Sequence, residues 1–173
     1  MSYFLLSVGY ALEILKLNAE IIHRLVHEER ALRPALFLMA LGTLARVLGL
    51  LLFPVQREFI VYRLDAFSAL TLSGEIFLAQ LLFFAGVAFF AEKIFKINLS
   101  MRSLIQVMGH ASCVNLLAVI PFLAPFAYLW LLVVLAKVLI TEGGMKWPSL
   151  FFLLFFALSL LLICSKSFFY GMM

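Results

Sequence analysis

Residues 34–53, PALFLMALGTLARVLGLLLF, decide the architecture. This run carries a single charge, Arg46, and apolar residues occupy its whole circumference. At a rise of 1.5 Å per residue, a helix of this length reaches about 30 Å, the thickness of a bilayer's hydrocarbon core. A helix that is apolar all round is buried in a large core or surrounded by lipid. A chain of 173 residues has no core large enough to hide several of them.

Outward from this stretch the pattern recurs. Further runs cover about 69–91, 103–121, 125–141 and 149–165, separated by Gln56-Arg57-Glu58 through Asp65, by Glu92 to Arg102, by Pro121 to Pro125, and by Thr141-Glu142-Gly143-Gly144. The composition agrees: 66% of residues are hydrophobic, 19 are phenylalanine and 13% are charged, against about 25% charged in ordinary globular chains. The net charge of +4 is scattered between apolar runs and forms no nucleic-acid footprint. Cys113 and Cys164 lie far apart in apolar stretches and read as small hydrophobes rather than a disulfide or metal pair. The start lacks a basic segment and a small-residue cleavage site, so a cleaved leader is not expected.

Residues 2–29 predict one amphipathic helix. Ile14, Leu17, Ile21 and Leu25 recur at helical spacing, with Glu13, Lys16, Glu20, Arg24 and His27 opposite. Such a helix lies in the interface or packs on the end of the bundle, and insertion as an additional span is a third option. The expected fold class is therefore all-α: a polytopic transmembrane bundle of five spans (domain 34–173), preceded by an interfacial segment (1–33). Positive charges set the orientation. With the N-terminus inside, Lys16, Arg24, Arg30, Arg33, Lys93, Lys96, Arg102 and Lys146 are cytoplasmic, against Arg57, Arg63 and Lys166 outside. This predicts a cytoplasmic N-terminus and a C-terminus on the opposite side.

Polar residues inside spans are costly and mark function or register. Arg46 and Glu75 lie at matching depth on sequential antiparallel spans, roughly 10 Å below the outer surface. Arg46 shares a face with Gly42, Ala45 and Gly49, and Glu75 with Ala79 and Gly86. Small residues allow close approach, so the two are expected to pair in a helix–helix seam. The pair would fix register or line a proton or ion pathway, with snorkelling to the headgroups as the remaining option. In span three, Gln106, His110 and Asn115 are candidate ligand or ion contacts, and a hydrogen-bonded structural histidine is the other reading of His110. His110 and Cys113 fall short of a zinc ligand set, so no metal site is read, and Asn115 is expected to bond across helices. Lys137 near the inner end of span four either snorkels or pairs with Glu92 or Glu142.

No HExxH, GxSxG, phosphate-binding loop or dinucleotide fingerprint occurs, and the only aspartate is Asp65. No catalytic residue and no cofactor is expected.

Several features together resemble the Yip1 family of small five-span membrane proteins: Pro34 at the mouth of span one, Glu92-Lys93-Ile94-Phe95-Lys96, Ser100-Met101-Arg102-Ser103, and Ile105 to Ala111, with Pro121, Trp130 and Gly143-Gly144 further on. The sequence departs from that family at His110, where an aromatic residue is usual, and at Val114 or Asn115, where a proline is expected. It also lacks the acidic-Leu-Tyr-Gly-Pro element of eukaryotic members, so their GTPase role is not implied. The resemblance implies a non-enzymatic protein that organises membrane or binds lipid. Its partners would be membrane lipids, with protein partners or further copies of the chain meeting the transmembrane face. The alternative from a different class is a small transporter or channel using Arg46, Glu75, His110 and Lys137. A subunit of a larger complex is a third reading.

Overall fold

The computed structural model describes residues 2–53, 55–57, 60–62, 65–97, 99–155 and 159. Two helices form where the sequence predicts one over 2–29. The first, α1 (Ser2–Leu15), ends at Leu17, whose φ of 61° is left-handed. The Leu17 N–H donates to the Ile14 carbonyl (2.8 Å) and the Asn18 N–H to the Glu13 carbonyl (3.2 Å). These paired bonds close a helix end at a position that favours glycine. Leucine there costs about 1 kcal/mol. Asn18 helps to offset that cost. Its amide donates to Glu13 (3.2 Å), and its side-chain oxygen accepts from the Glu20 N–H (3.1 Å), capping α2 (Ala19–His27).

A 3-10 turn, Glu29–Ala31, leads into α3 (Leu32–Leu52). The expected polar loop after it contains a short antiparallel ribbon, β1 (Val55–Arg57) with β2 (Ile60–Tyr62), in the register Gln56 opposite Val61. Asp65 caps α4 (Ala66–Phe95) by accepting from the Ser68 N–H at 2.7 Å. The bonds from the Ser68 backbone and hydroxyl hold its carboxyl below the ordinary value. Ser100 caps α5 (Met101–Ala111) in the same way, through the Ser103 N–H at 3.0 Å.

The continuous α-helix expected over 103–121 does not form. α5 passes at Ser112 into a 3-10 stretch, Ser112–Val119. A 3-10 turn, Pro121–Leu123, precedes α6 (Ala124–Thr141), which carries Pro125 in its first turn, where proline is tolerated. Residues 147–155 are helical again. The rest of the expected fifth span, with Cys164 and Lys166, lies outside the described residues, as do Pro54 and Arg63.

Among the described residues, three segments are long and apolar enough to cross a membrane: Glu29–Leu52, Ala66–Phe95 and Ala124–Thr141. They match the first, second and fourth predicted spans within a few residues.

The centre of the molecule is α5. Every residue from Ser103 to Ser112 is buried, and α5 packs against α1, α2, α3, α4 and α6. Ile22 and Leu25 insert the apolar face of α2 into this core, leaving His23, Arg24 and His27 outward. Arg24 returns over the ring of Tyr10 on α1, 5.4 Å from its centroid.

A seam of small residues joins α3 to α5 and the 3-10 stretch. Ala35, Gly42 and Gly49 recur every seventh residue along α3 and meet Gly109, then Ser112 and Asn115, then Ala118 and Val119. A Cβ on Gly42 would lie 2.6 Å from the Ser112 carbonyl oxygen, and one on Gly49 2.5 Å from that of Val119. No side chain larger than hydrogen fits there. The expected close approach of the Gly42 face is therefore present, with the third apolar segment as its partner rather than the second. On α4, Gly86 has nothing within 4 Å of a Cβ position and Ala79 is exposed, so the small-residue face expected beside Glu75 makes no seam.

Candidate functional site

The first turns of α5 join the N-terminal segment to the bundle. Arg102 donates to the Glu29 carbonyl (2.7 Å), Ser103 to that of Val26 (3.0 Å) and Gln106 to that of Glu28 (2.7 Å). These are carbonyls at and just beyond the end of α2, where a helix leaves acceptors without intrahelical partners. The positive charge of Arg102 suits that end of the helix dipole. Gln106, a candidate ligand contact, thus serves the backbone.

One turn on, His110 is wholly buried and its Nδ1 lies 2.7 Å from the Gln106 carbonyl oxygen. A carbonyl only accepts, so Nδ1 carries the proton in that bond. Among the described residues, the Nε2 lone pair of His110 has no partner. Asn115 is buried against Gly42, and its Oδ1 likewise has no partner among the described residues. The 3-10 geometry sets this contact, because residues three apart eclipse and Ser112, Asn115 and Ala118 align on the seam.

Arg46 and Glu75 do not meet. The Arg46 guanidinium lies over the ring of Tyr128 on α6, 4.9 Å from its centroid, and is half-buried. Glu75 is exposed on the outward stripe of α4 with Leu78 and Leu82, whereas Leu72 and Ile76 turn inward against Val47 of α3. The direction of Glu75 is fixed by which apolar residues α4 buries. Lys137 is half-buried and joins neither of its expected partners: Glu92 pairs with Lys93 (2.9 Å) and Glu142 with His23 (3.0 Å).

An apolar groove of about 330 Å³ opens between the end of α1, the 3-10 stretch and α6, lined by Leu15, Val114, Leu117, Leu123, Phe126, Ala127 and Trp130. Its size lies at the lower end of the range for small-molecule pockets, roughly 300–1,000 Å³.

A second cluster lies at the other end of α6. His23 Nδ1 is 3.0 Å from one Glu142 carboxylate oxygen and 3.3 Å from the other. His27, one turn along α2, has its ring centroid 4.6 Å from that of His23. The i, i+4 histidine pair was legible in the sequence as a spacing. Glu142 was not, because 119 residues separate it from His23.

Comparison with protein-family models, characterised proteins and solved structures finds no match for this chain.

Proposed function

We propose that this chain is a multi-pass integral membrane protein that acts without catalysis, organising membrane and binding lipid as the resemblance to the Yip1 family implies. The observation that carries the reading is the disposition of polar and apolar groups. Arg102, Ser103 and Gln106 are engaged with backbone carbonyls, and the groove beside α6 is apolar. The outward surface of α4 presents Phe67, Leu70, Leu78, Leu82 and Phe89, a face suited to acyl chains. The groove between α1 and α6 suits the tail of one phospholipid.

The five-span arrangement belongs to this proposal. α5 and the following 3-10 stretch are each about 16 Å long and together about 32 Å, enough for a third crossing. Residues 147–155 would begin a fifth. The charge distribution then keeps the N-terminus cytoplasmic. Glu75, on the lipid-facing stripe, is where a second copy or a partner helix would meet the bundle.

The test is lipid retention. Purified in mild detergent, the protein should carry one phospholipid per chain in native mass spectrometry. Leu117→Trp, which fills the groove, should remove it, whereas Leu116→Trp, at an exposed neighbour outside the lining, should not. Equal retention in both variants would dismiss the groove as the lipid seat. Glu75→Gln should change assembly and leave proteoliposome ion or proton flux at background. A flux present in the natural protein and abolished by that change would favour the transporter.

A further inference from the structure

We propose that His23, His27 and Glu142 form a binding site for a divalent transition-metal ion that fastens α2 to the end of α6. One donor atom from each residue lies within 4.8 Å of the others. Two imidazoles and one carboxylate suit zinc and its neighbours in the first transition series.

Three features favour a cation here over a simple hydrogen bond. First, Glu142 is the C-terminal cap residue of α6, and its side chain is only 9% exposed. A carboxylate there faces the negative end of the helix dipole, which opposes it. Second, His27 Nδ1 lies 2.9 Å from the His23 carbonyl oxygen, so it donates and leaves Nε2 with its lone pair. A backbone carbonyl holding one ring N–H is the usual way a metal-ligating imidazole is oriented. Third, the His23–Glu142 pair already stands at 3.0 Å. Zinc with ligand bonds of about 2.0–2.1 Å needs its donors about 3.3 Å apart. Closing the remaining separation, at most 4.8 Å, takes up to about 1.5 Å of movement, available to the exposed imidazoles by rotation about their side-chain bonds.

Three protein donors leave at least one coordination position for water or an exogenous group. The bound ion would cross-link the N-terminal segment to the end of α6. Its presence or release would then set how firmly α2 is held on the bundle. The inference stands independently of the membrane reading.

The experiment uses the full chain in detergent, purified without a histidine tag, stripped by a chelator, and with Cys113 and Cys164 replaced by alanine. Zinc is titrated calorimetrically, and cobalt is followed by its visible absorption. One ion per chain is expected, with His27→Ala and Glu142→Gln each weakening zinc at least about tenfold. Amide exchange over residues 19–27 should slow on adding zinc in the parent protein only. His23 is 68% exposed, so its substitution tests binding without disturbing the core. Equal zinc affinity in the parent and in a His23→Ala, His27→Ala double variant would overturn the proposal. So would sub-stoichiometric uptake by a folded parent protein.

Discussion

Gly49→Ala places one methyl group where the backbone cannot yield cheaply. The added Cβ would start 2.5 Å from the Val119 carbonyl oxygen and 2.6 Å from that of Ala118. An ordinary contact begins near 3.4 Å. The seam must therefore open by about 1 Å, and a gap of that size forfeits a quarter to a half of the dispersion attraction of each contact across it. Overpacking of this kind costs about 1–3 kcal/mol. Alanine's gain in helix propensity, about 1 kcal/mol, applies at any helical glycine, so the loss is reckoned against a control that shares it. We expect about 2 kcal/mol, roughly a thirtyfold fall in the ratio of folded to unfolded protein. Gly86→Ala is the matched control: nothing lies within 4 Å of its Cβ position, and alanine is the better helix former by about 1 kcal/mol. The assay is reversible unfolding in mixed micelles of rising dodecyl sulfate content, followed by circular dichroism. If Gly49→Ala matched or exceeded Gly86→Ala in stability, the close contact between α3 and the 3-10 stretch would be wrong.

Tyr128→Leu should destabilise the bundle by about 1–2 kcal/mol through loss of the ring beneath Arg46, while Tyr128→Phe, which keeps the ring, should stay near the parent in the same unfolding assay. Gln106→Leu leaves the Glu28 carbonyl unmet and should cost about 1–3 kcal/mol, with faster amide exchange in α2. The Asp65 cap has a pH signature of definite sign. Its carboxyl is depressed in the folded state, so the contribution is complete above the ordinary value of 3.8 and is lost as the pH falls through the lower folded value. Amide exchange in the first turn of α4 should rise over that acidic window, and Asp65→Ala should abolish the pH dependence.

The three long helices were legible because length and continuous apolarity suffice to announce them. The break at Leu17 was not. Its side chain belongs to the apolar stripe of a continuous helix, and the left-handed backbone that ends α1 leaves no mark in such a pattern. Counting residues along the spans set Arg46 and Glu75 at one expected level. Direction around the helix was not set in this way, because Leu72 and Ile76 claim the inner face of α4 and turn Glu75 outward. Gln106 and His110 stood out as polar residues in an apolar run. The bond from Gln106 depended on where α2 ended, and that depended in turn on the unforeseen break, whereas His110 bonds back within its own helix. The i, i+4 spacing of His23 and His27 holds two of the three proposed ligands and went unread, and only the folded chain supplied Glu142.

The eight-residue 3-10 stretch makes the middle of this protein a screw joint. A 3-10 helix advances 120° and about 2.0 Å per residue, an α-helix 100° and 1.5 Å. Rewinding Ser112–Val119 into α form would shorten it by about 4 Å and swing everything beyond it through about 160°. Tyr128 would leave Arg46, and Glu142 would leave His23. Two distant attachments of α6, one to α3 and one to α2, thus hang on the winding of a single segment, against whose backbone Gly42 and Gly49 lie.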